Sequence, residues 1–325
     1  MALSTVAAPR PHIRLRNAAY LDNVPPLAEG HAILLPVDRT RKSDSFCNQD
    51  GFSVSARVRK GRLRARCQDS AVSFVCERFA MVAVLDGYQK DGDFYSSNVS
   101  RRLVELCRER ADEIPLNPDA RALLIDSASA VSNESLDGGT TAAVALLLRS
   151  RVYSIAGIGD CAAYELECAS ARRMLDYARV LDPVSLSIGV PFVRTVGSFT
   201  MEPADYAGVR NKLISAINAA KIDAAQVETA EGRLERGSRL ALMSDGVYKN
   251  FTFSVDCGGS VADVSCNADL AEMLRGVVGV RRATYRVLSE AESRGAGSSI
   301  VYHVKSRKVL MPSGDDMAIA MVSCD

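Results

Sequence analysis

The sequence predicts an α+β fold in which sheets carry helices on their outer faces. Short apolar strands come first, then two helical stretches, more strands, a further helix and a closing strand. That order does not match a regular βαβ alternation. The 325 residues are 47% hydrophobic, ample for a packed core in one large or two small domains. No run approaches the roughly eighteen uninterrupted apolar residues of a membrane span. With 40 basic and 39 acidic residues, net charge gives no support to bulk attraction to nucleic acid or to a membrane.

Residues 1–45 carry Pro, Arg and Ser without clear periodicity and read as an N-terminal arm, with the folded domain expected over 46–325. The first twenty residues hold three arginines and no acid, which suits a disordered basic arm or a transit peptide. The expected localisation is cytoplasmic, with an organellar alternative. From Phe52, "FSVSARVRKGRLRAR" alternates about Lys60-Gly61 and predicts a hairpin. "SAVSFV" and "RFAMVAVLD" predict two more strands.

Val99, Leu103, Leu106 and Cys107 recur at helical spacing over 95–110. Leu123, Leu124, Ala128 and Val131 do so over 119–134, after a Pro118-Asp119 start signal. Strands return at "TTAAVALLLRS", "RVYSIAGIGD" and "CAAYELEC". Residues 170–206 give no assignment, and 206–221 suggest a helix. A strand is expected in "GSRLALMSDGVYKNF", one long helix in "ADLAEMLRGVVGVRRATYRVLSEAES" and a closing strand in "MAIAMVSCD". The nine cysteines are scattered singly, without C-x-x-C. This fits reduced thiols in an intracellular protein better than a disulfide framework, and Cys67, Cys76, Cys107 and Cys161 read as packing residues.

The acids carry the functional signal. "VAVLDG" (Asp86), "SIAGIGD" (Asp160) and "LALMSDG" (Asp245) each end an apolar strand in an acidic corner beside glycine. "PSGDDMAIAMV" (Asp315, Asp316) places its acids before a strand, as "RARCQDS" (Asp69) does before "AVSFV". Asp-Gly is a common turn dipeptide, so one corner alone means little. Five in strand-end contexts point to an oxygen-only cluster, which suits hard ions such as Mg²⁺ or Mn²⁺.

In this order the corners resemble the metal-dependent protein phosphatases, the PPM or type 2C family. The resemblance rests on "GRLRARCQDS" (61–70), "VLDGYQ" (84–89), "GGTTA" (138–142), "GIGDCAAY" (157–164), "LMSDGV" (242–247) and "GDDMAIAMV" (314–322). No single motif is specific; the set spans roughly 51–325. "CNQDGF" (47–52) is passed over as the first motif, since it lacks the spaced arginine. "GGTTA" is read as a strand entrance near the metal corner, since it lacks the Lys of a phosphate loop.

The resemblance implies a four-layer αββα sandwich of two antiparallel sheets flanked by helices. It implies that Asp86 bridges two divalent ions, Mg²⁺ or Mn²⁺, with the Gly87 carbonyl as a further ligand. Asp245 and Asp315 would hold the first ion, Asp69 would hold water on the second beside Gln68, and Asp160 would serve a weaker third site. Arg64 would bind substrate phosphate through its planar fork. A water bridging the metals would be the nucleophile, so His12, His31 and His303, distant in sequence from every acidic corner, are not needed. The implied partner is a phosphoprotein substrate, or a protein bound without turnover, with neither nucleic acid nor membrane involved.

The chain also departs from the family pattern. Tyr88 stands where the family has histidine, Gln89 and Lys90 where it has two glycines, and Cys161 where it has serine. Asp316 replaces asparagine, and the flap region is only echoed by "SLSIGVPFVRTVGS". Two expectations follow: an active serine/threonine phosphatase, or a pseudophosphatase acting as a binding or scaffold module.

Overall fold

A computed structural model of the chain describes residues 14–16, 19–20, 30–35, 42–49, 51–62, 64–131, 136–167, 170–175, 215–220, 222–251, 253–256, 261–264, 267–295, 301–303, 308–310 and 314–324. Two large antiparallel sheets face each other. The first runs in spatial order β1 (Arg14–Arg16), β4 (Lys42–Gln49), β5 (Phe52–Arg59), β19 (Met317–Cys324), β14 (Arg239–Met243), β10 (Ala162–Leu166) and β11 (Ala171–Arg173). The second runs β13 (Glu228–Arg233), β9 (Val152–Ile158), β8 (Gly139–Leu148), β7 (Phe79–Tyr88), β6 (Ser70–Cys76), β3 (Gly30–Leu35) and β2 (Ala19–Tyr20). Strand β12 (Ile217–Asn218) adds to β8. A small sheet joins β16 (Val261–Val264), β15 (Phe253–Asp256), β18 (Lys308–Leu310) and β17 (Val301–His303).

Helices α1 (Gly92–Glu109) and α2 (Ala120–Ser129) cover the second sheet. The one-turn helix α3 (Asp245–Tyr248) follows β14, while α4 (Asn267–Leu274) and α5 (Val280–Gly295) lie on the first sheet's side. The two outer helical layers and two inner sheets enclose three apolar cores. Alternation along β7 shows how one sequence serves two of them. Phe79, Met81, Ala83 and Leu85 pack toward α1, while Ala80, Val82 and Val84 pack between the sheets. In β19, Ala318, Ala320 and Val322 face the inter-sheet core, and Ile319 and Met321 face α5. Strands buried on both faces read as continuous apolar runs rather than alternating ones.

Several expectations need correction. No hairpin forms about Lys60-Gly61. Strand β5 instead pairs antiparallel with β4, with Gln49 opposite Phe52 and Gly51 at φ 78° just before the strand. Gly61 serves a close approach: a Cβ there would lie 2.5 Å from the Asp315 carbonyl carbon. The long helix over 268–293 is two, because Gly276 and Gly279, at φ 71° and 79°, occupy the left-handed region that stops a helix. Ile217–Asn218 of the suggested helix 206–221 is the strand β12, and 206–214 lie outside the described residues. Within the stretch read as an arm, β1 to β3 and the first half of β4 pair into the two large sheets.

Other elements follow the sequence closely. The second helix opens where Asp119 accepts a hydrogen bond from the Ala122 N–H at 2.9 Å. Cys67, Cys76, Cys107 and Cys161 are buried thiols.

Candidate active site

The acids gather where the inter-sheet layer ends. Along β7, Asp86 shares the parity of Val82 and Val84, and it pairs with Thr141 of β8. Its carbonyl accepts from Thr140 Oγ1 at 3.0 Å, so the "GGTTA" strand entrance does support this corner. Asp69 immediately precedes β6 and is fully buried. Asp245 opens α3, positioned by Ser244, whose N–H donates to the Ala318 carbonyl and whose hydroxyl accepts from the Ala318 N–H. Asp160 follows β9, and Asp315 and Asp316 precede β19.

Close backbone packing sets these corners. A Cβ on Gly87 would sit 2.6 Å from the carbonyl oxygens of Gln68 and Gly92, and one on Gly246 would sit 1.8 Å from the Asp316 carbonyl oxygen. Asp316 is a structural clamp, accepting from the backbone N–H groups of Gly61 and Gln68 at 2.7 Å each. It thereby ties the Arg64 segment to the start of β19. Arg64 spans the cleft mouth and pairs bidentately with Asp315, Nε to Oδ1 at 2.6 Å and Nη2 to Oδ2 at 2.5 Å. Deeper in, the Lys249 ammonium donates to Asp245 Oδ2 at 2.6 Å and to Asp160 Oδ2 at 3.2 Å. Both Lys249 and Asp160 are buried.

The electrostatics follow from crowding. Burial, then repulsion from Asp316, holds the Asp69 carboxyl well above the usual range, although a hydrogen bond from Ser244 opposes this. Burial, then repulsion from Asp69 and Asp245, does the same to Asp86. Asp160 and Asp316 are raised chiefly by burial, against the pull of Lys249 and of two backbone N–H groups respectively. For Asp245, burial is outweighed by the Lys249 charge and a hydrogen bond with Asp86, and its pKa falls. Burial would lower Lys249, but Asp245 and Asp160 outweigh it and hold the ammonium well above the lysine range. The hydrogen bond to Asp315 raises Arg64. Among the described residues, six carboxylates thus crowd around the Arg64 and Lys249 cations.

This donor set fits hard divalent cations in part. Asp69 Oδ2 and Asp245 Oδ1 are buried without a hydrogen-bond partner, and an unpaired buried oxygen is costly unless a cation or donor meets it. Anionic oxygens without competing nitrogen or sulfur ligands suit Mg²⁺ or Mn²⁺. Elsewhere the protein supplies its own cations, Arg64 on Asp315 and Lys249 on Asp160. Among the described residues, no three His, Cys, Asp or Glu side chains form a ready coordination sphere.

All the residues singled out from sequence are therefore neighbours: Arg64, Asp69, Asp86, Gly87, Asp160, Asp245 and Asp315. Sequence reasoning missed Lys249 and the clamping role of Asp316. Lys249 had a readable signal, since it lies four residues after Asp245 in a helix start. Gln68 donates through Nε2 to the Gln89 carbonyl at 2.6 Å. Gln89 adopts φ 62°, a left-handed conformation that costs a non-glycine residue about 1–2 kcal/mol. Tyr88 points to β8 and β12: it bonds Asn218, and its hydroxyl lies against Gly139.

No protein-family model matches the sequence, and no curated protein sequence matches it. Solved structures do match. The S. agalactiae serine/threonine phosphatase superposes with a TM-score of 0.55 at 16% identity, over 84% of this chain and 100% of that one. The Mycobacterium tuberculosis serine/threonine phosphatase PstP/Ppp gives 0.52 at 16% identity, over 84% and 99%. RsbX, crystallised in complex with magnesium, gives 0.50 at 13% identity, over 86% and 98%. With two facing antiparallel sheets between helical layers, this chain has the fold of the PPM-type serine/threonine phosphatases.

Proposed function

We propose that this chain is a metal-dependent phosphomonoesterase acting on phosphoserine and phosphothreonine in proteins. The observation that carries this reading is the convergence of Asp69, Asp86 and Asp245, with two buried carboxylate oxygens unpartnered, at the end of a phosphatase-type sandwich. Asp69, Asp86, the Gly87 carbonyl, Asp245 and Asp315 would hold the ions, and Asp160 would lie beside them, tethered by Lys249. Divalent ions, when bound, supply Lewis acidity for water activation and offset charge on the phosphoryl oxygens.

The chain's own groups then have distinct tasks. Arg64 presents a planar fork at the cleft mouth, and the bidentate geometry it now shows to Asp315 is the one it would offer two phosphoryl oxygens. Cys67 and Cys161 do not serve as nucleophiles, because burial, then nearby carboxylates, keeps both thiols protonated. Water is left to form the new P–O bond as the ester P–O bond breaks, releasing phosphate and a free hydroxyl. The Asp316 clamp keeps Arg64 registered against the carboxylates.

A second reading has its own support. Arg64 is engaged by Asp315, and Lys249 neutralises part of the carboxylate cluster from within, as a phosphatase-shaped binding module could tolerate. Calorimetric titration with Mn²⁺ and Mg²⁺, beside phosphopeptide turnover, separates the two. Metal binding with turnover that disappears in Asp245→Asn supports the enzyme. Metal binding without turnover favours the module, and no metal binding removes the proposed mechanism.

A further inference from the structure

A groove of about 980 Å³ opens on the outer side of the first sheet, between the β4–β5 hairpin and α5 with the residues just before it. None of the carboxylate-site residues lines it. Its wall carries Arg57, Arg281, Arg282 and Arg286, with Glu290 as the acid, and Glu290 is already paired with Arg294 at 2.9 Å. The groove is therefore cationic on a chain whose net charge is only +1.

Arg57 gives the groove a floor. It is buried, yet its Nε has no hydrogen-bond partner. Its Nη1 reaches Asp44 Oδ1 at 2.9 Å, the same oxygen that Arg59 takes at 2.8 Å. One carboxylate oxygen thus meets both guanidinium groups. The Arg57 guanidinium also lies 5.3 Å over the ring of Tyr285, which is 58% exposed, and Arg281 lies 5.8 Å over Phe46. Both guanidinium groups thus lie within cation–π range of an aromatic ring on the groove wall. Arg282 and Arg286 are exposed on the same helix face region of the groove.

Four arginines on one groove, one of them with an unpartnered N–H, and a lining acid already paired with Arg294 call for an anion with several acceptor oxygens. A phosphoryl group carries nearly two negative charges and three such oxygens, and arginine clusters are a common way to read it on a peptide. We propose that this groove is a docking site for a phosphorylated segment of a partner protein, separate from the carboxylate centre. It stands whether or not that centre turns substrate over.

The test is fluorescence anisotropy of the full chain, in EDTA to prevent turnover, with a labelled hexapeptide containing one phosphoserine and its unphosphorylated twin. The phosphopeptide should bind at least about tenfold tighter than the twin. The exposed double variant Arg282→Gln/Arg286→Gln should weaken it about tenfold, and Arg57→Met should act likewise where circular dichroism shows it folded. Arg64→Gln should leave it unchanged. Equal affinity for both peptides, full affinity in the double variant, or loss confined to Arg64→Gln would overturn the proposal. So would tighter binding of a single-stranded oligonucleotide than of the phosphopeptide.

Discussion

Replacing Lys249 by methionine isolates what a built-in cation does for this fold. The ammonium lies 2.6 Å from Asp245 and 3.2 Å from Asp160, with the Lys249 and Asp160 side chains each only 7% exposed. Methionine keeps the stem's volume and removes the charge, leaving two largely buried carboxylates without their cation. Breaking a buried pair in this way costs about 3–5 kcal/mol. Urea unfolding followed by far-ultraviolet circular dichroism is the assay, since the chain has no tryptophan. Adding Asp160→Asn to Lys249→Met should recover at least about 1 kcal/mol, because the buried group no longer carries charge. The sign with pH is fixed by the direction of the shift: Lys249 is held above its unfolded value. Its contribution is therefore complete below the ordinary lysine pKa, and is lost only as pH rises through the higher folded value. A loss below about 1 kcal/mol in the single variant, or no recovery in the double, would refute the reasoning.

Three other outcomes are expected. Asp69 and Asp86 are raised above their unfolded values, so their stabilising protonation is complete below about pH 4 and is lost as pH rises through the folded values. The melting temperature of EDTA-treated protein should accordingly fall from pH 5 to pH 8 and recover with Mn²⁺; a flat profile would exclude strained carboxylates. Asp86→Asn should keep the fold by circular dichroism but lose calorimetric Mn²⁺ binding, and an unchanged isotherm would remove Asp86 from the ion site. Gly246→Ala drives a Cβ onto the Asp316 carbonyl and should destabilise by about 1–3 kcal/mol or more in urea, whereas a neutral result would mean that corner has slack.

The local features were legible from sequence because they depend on short-range rules. Runs such as "RFAMVAVLD" announced β7 because burial on both faces demands continuous apolar side chains. Strand ends bearing acids marked Asp69, Asp86, Asp160, Asp245 and Asp315, since a carboxylate at the edge of an apolar layer needs a reason. The hairpin read about Lys60-Gly61 was misplaced because alternation along "FSVSARVR" does not say which neighbour that strand pairs with, and β5 ends at Arg59 with β4 and β19 beside it. Only the return of β19 beside β5 makes Gly61 a contact point for Asp315. Likewise the broken helix before Val280 depends on glycine conformations that spacing alone does not reveal.

The sequence by itself marked β5 to β10, β14, β19, α1 and α2, and the identity of the acids that end their strands. Tertiary structure alone decided the pairings among them: Arg64 with Asp315, Lys249 between Asp160 and Asp245, and Asp316 clamped on Gly61 and Gln68. The physical reason is distance along the chain. Arg64 and Asp315 are 251 residues apart, and Lys249 and Asp160 are 89 apart. Charge pairs at that separation exist only once the sheets have stacked and their ends have been brought together.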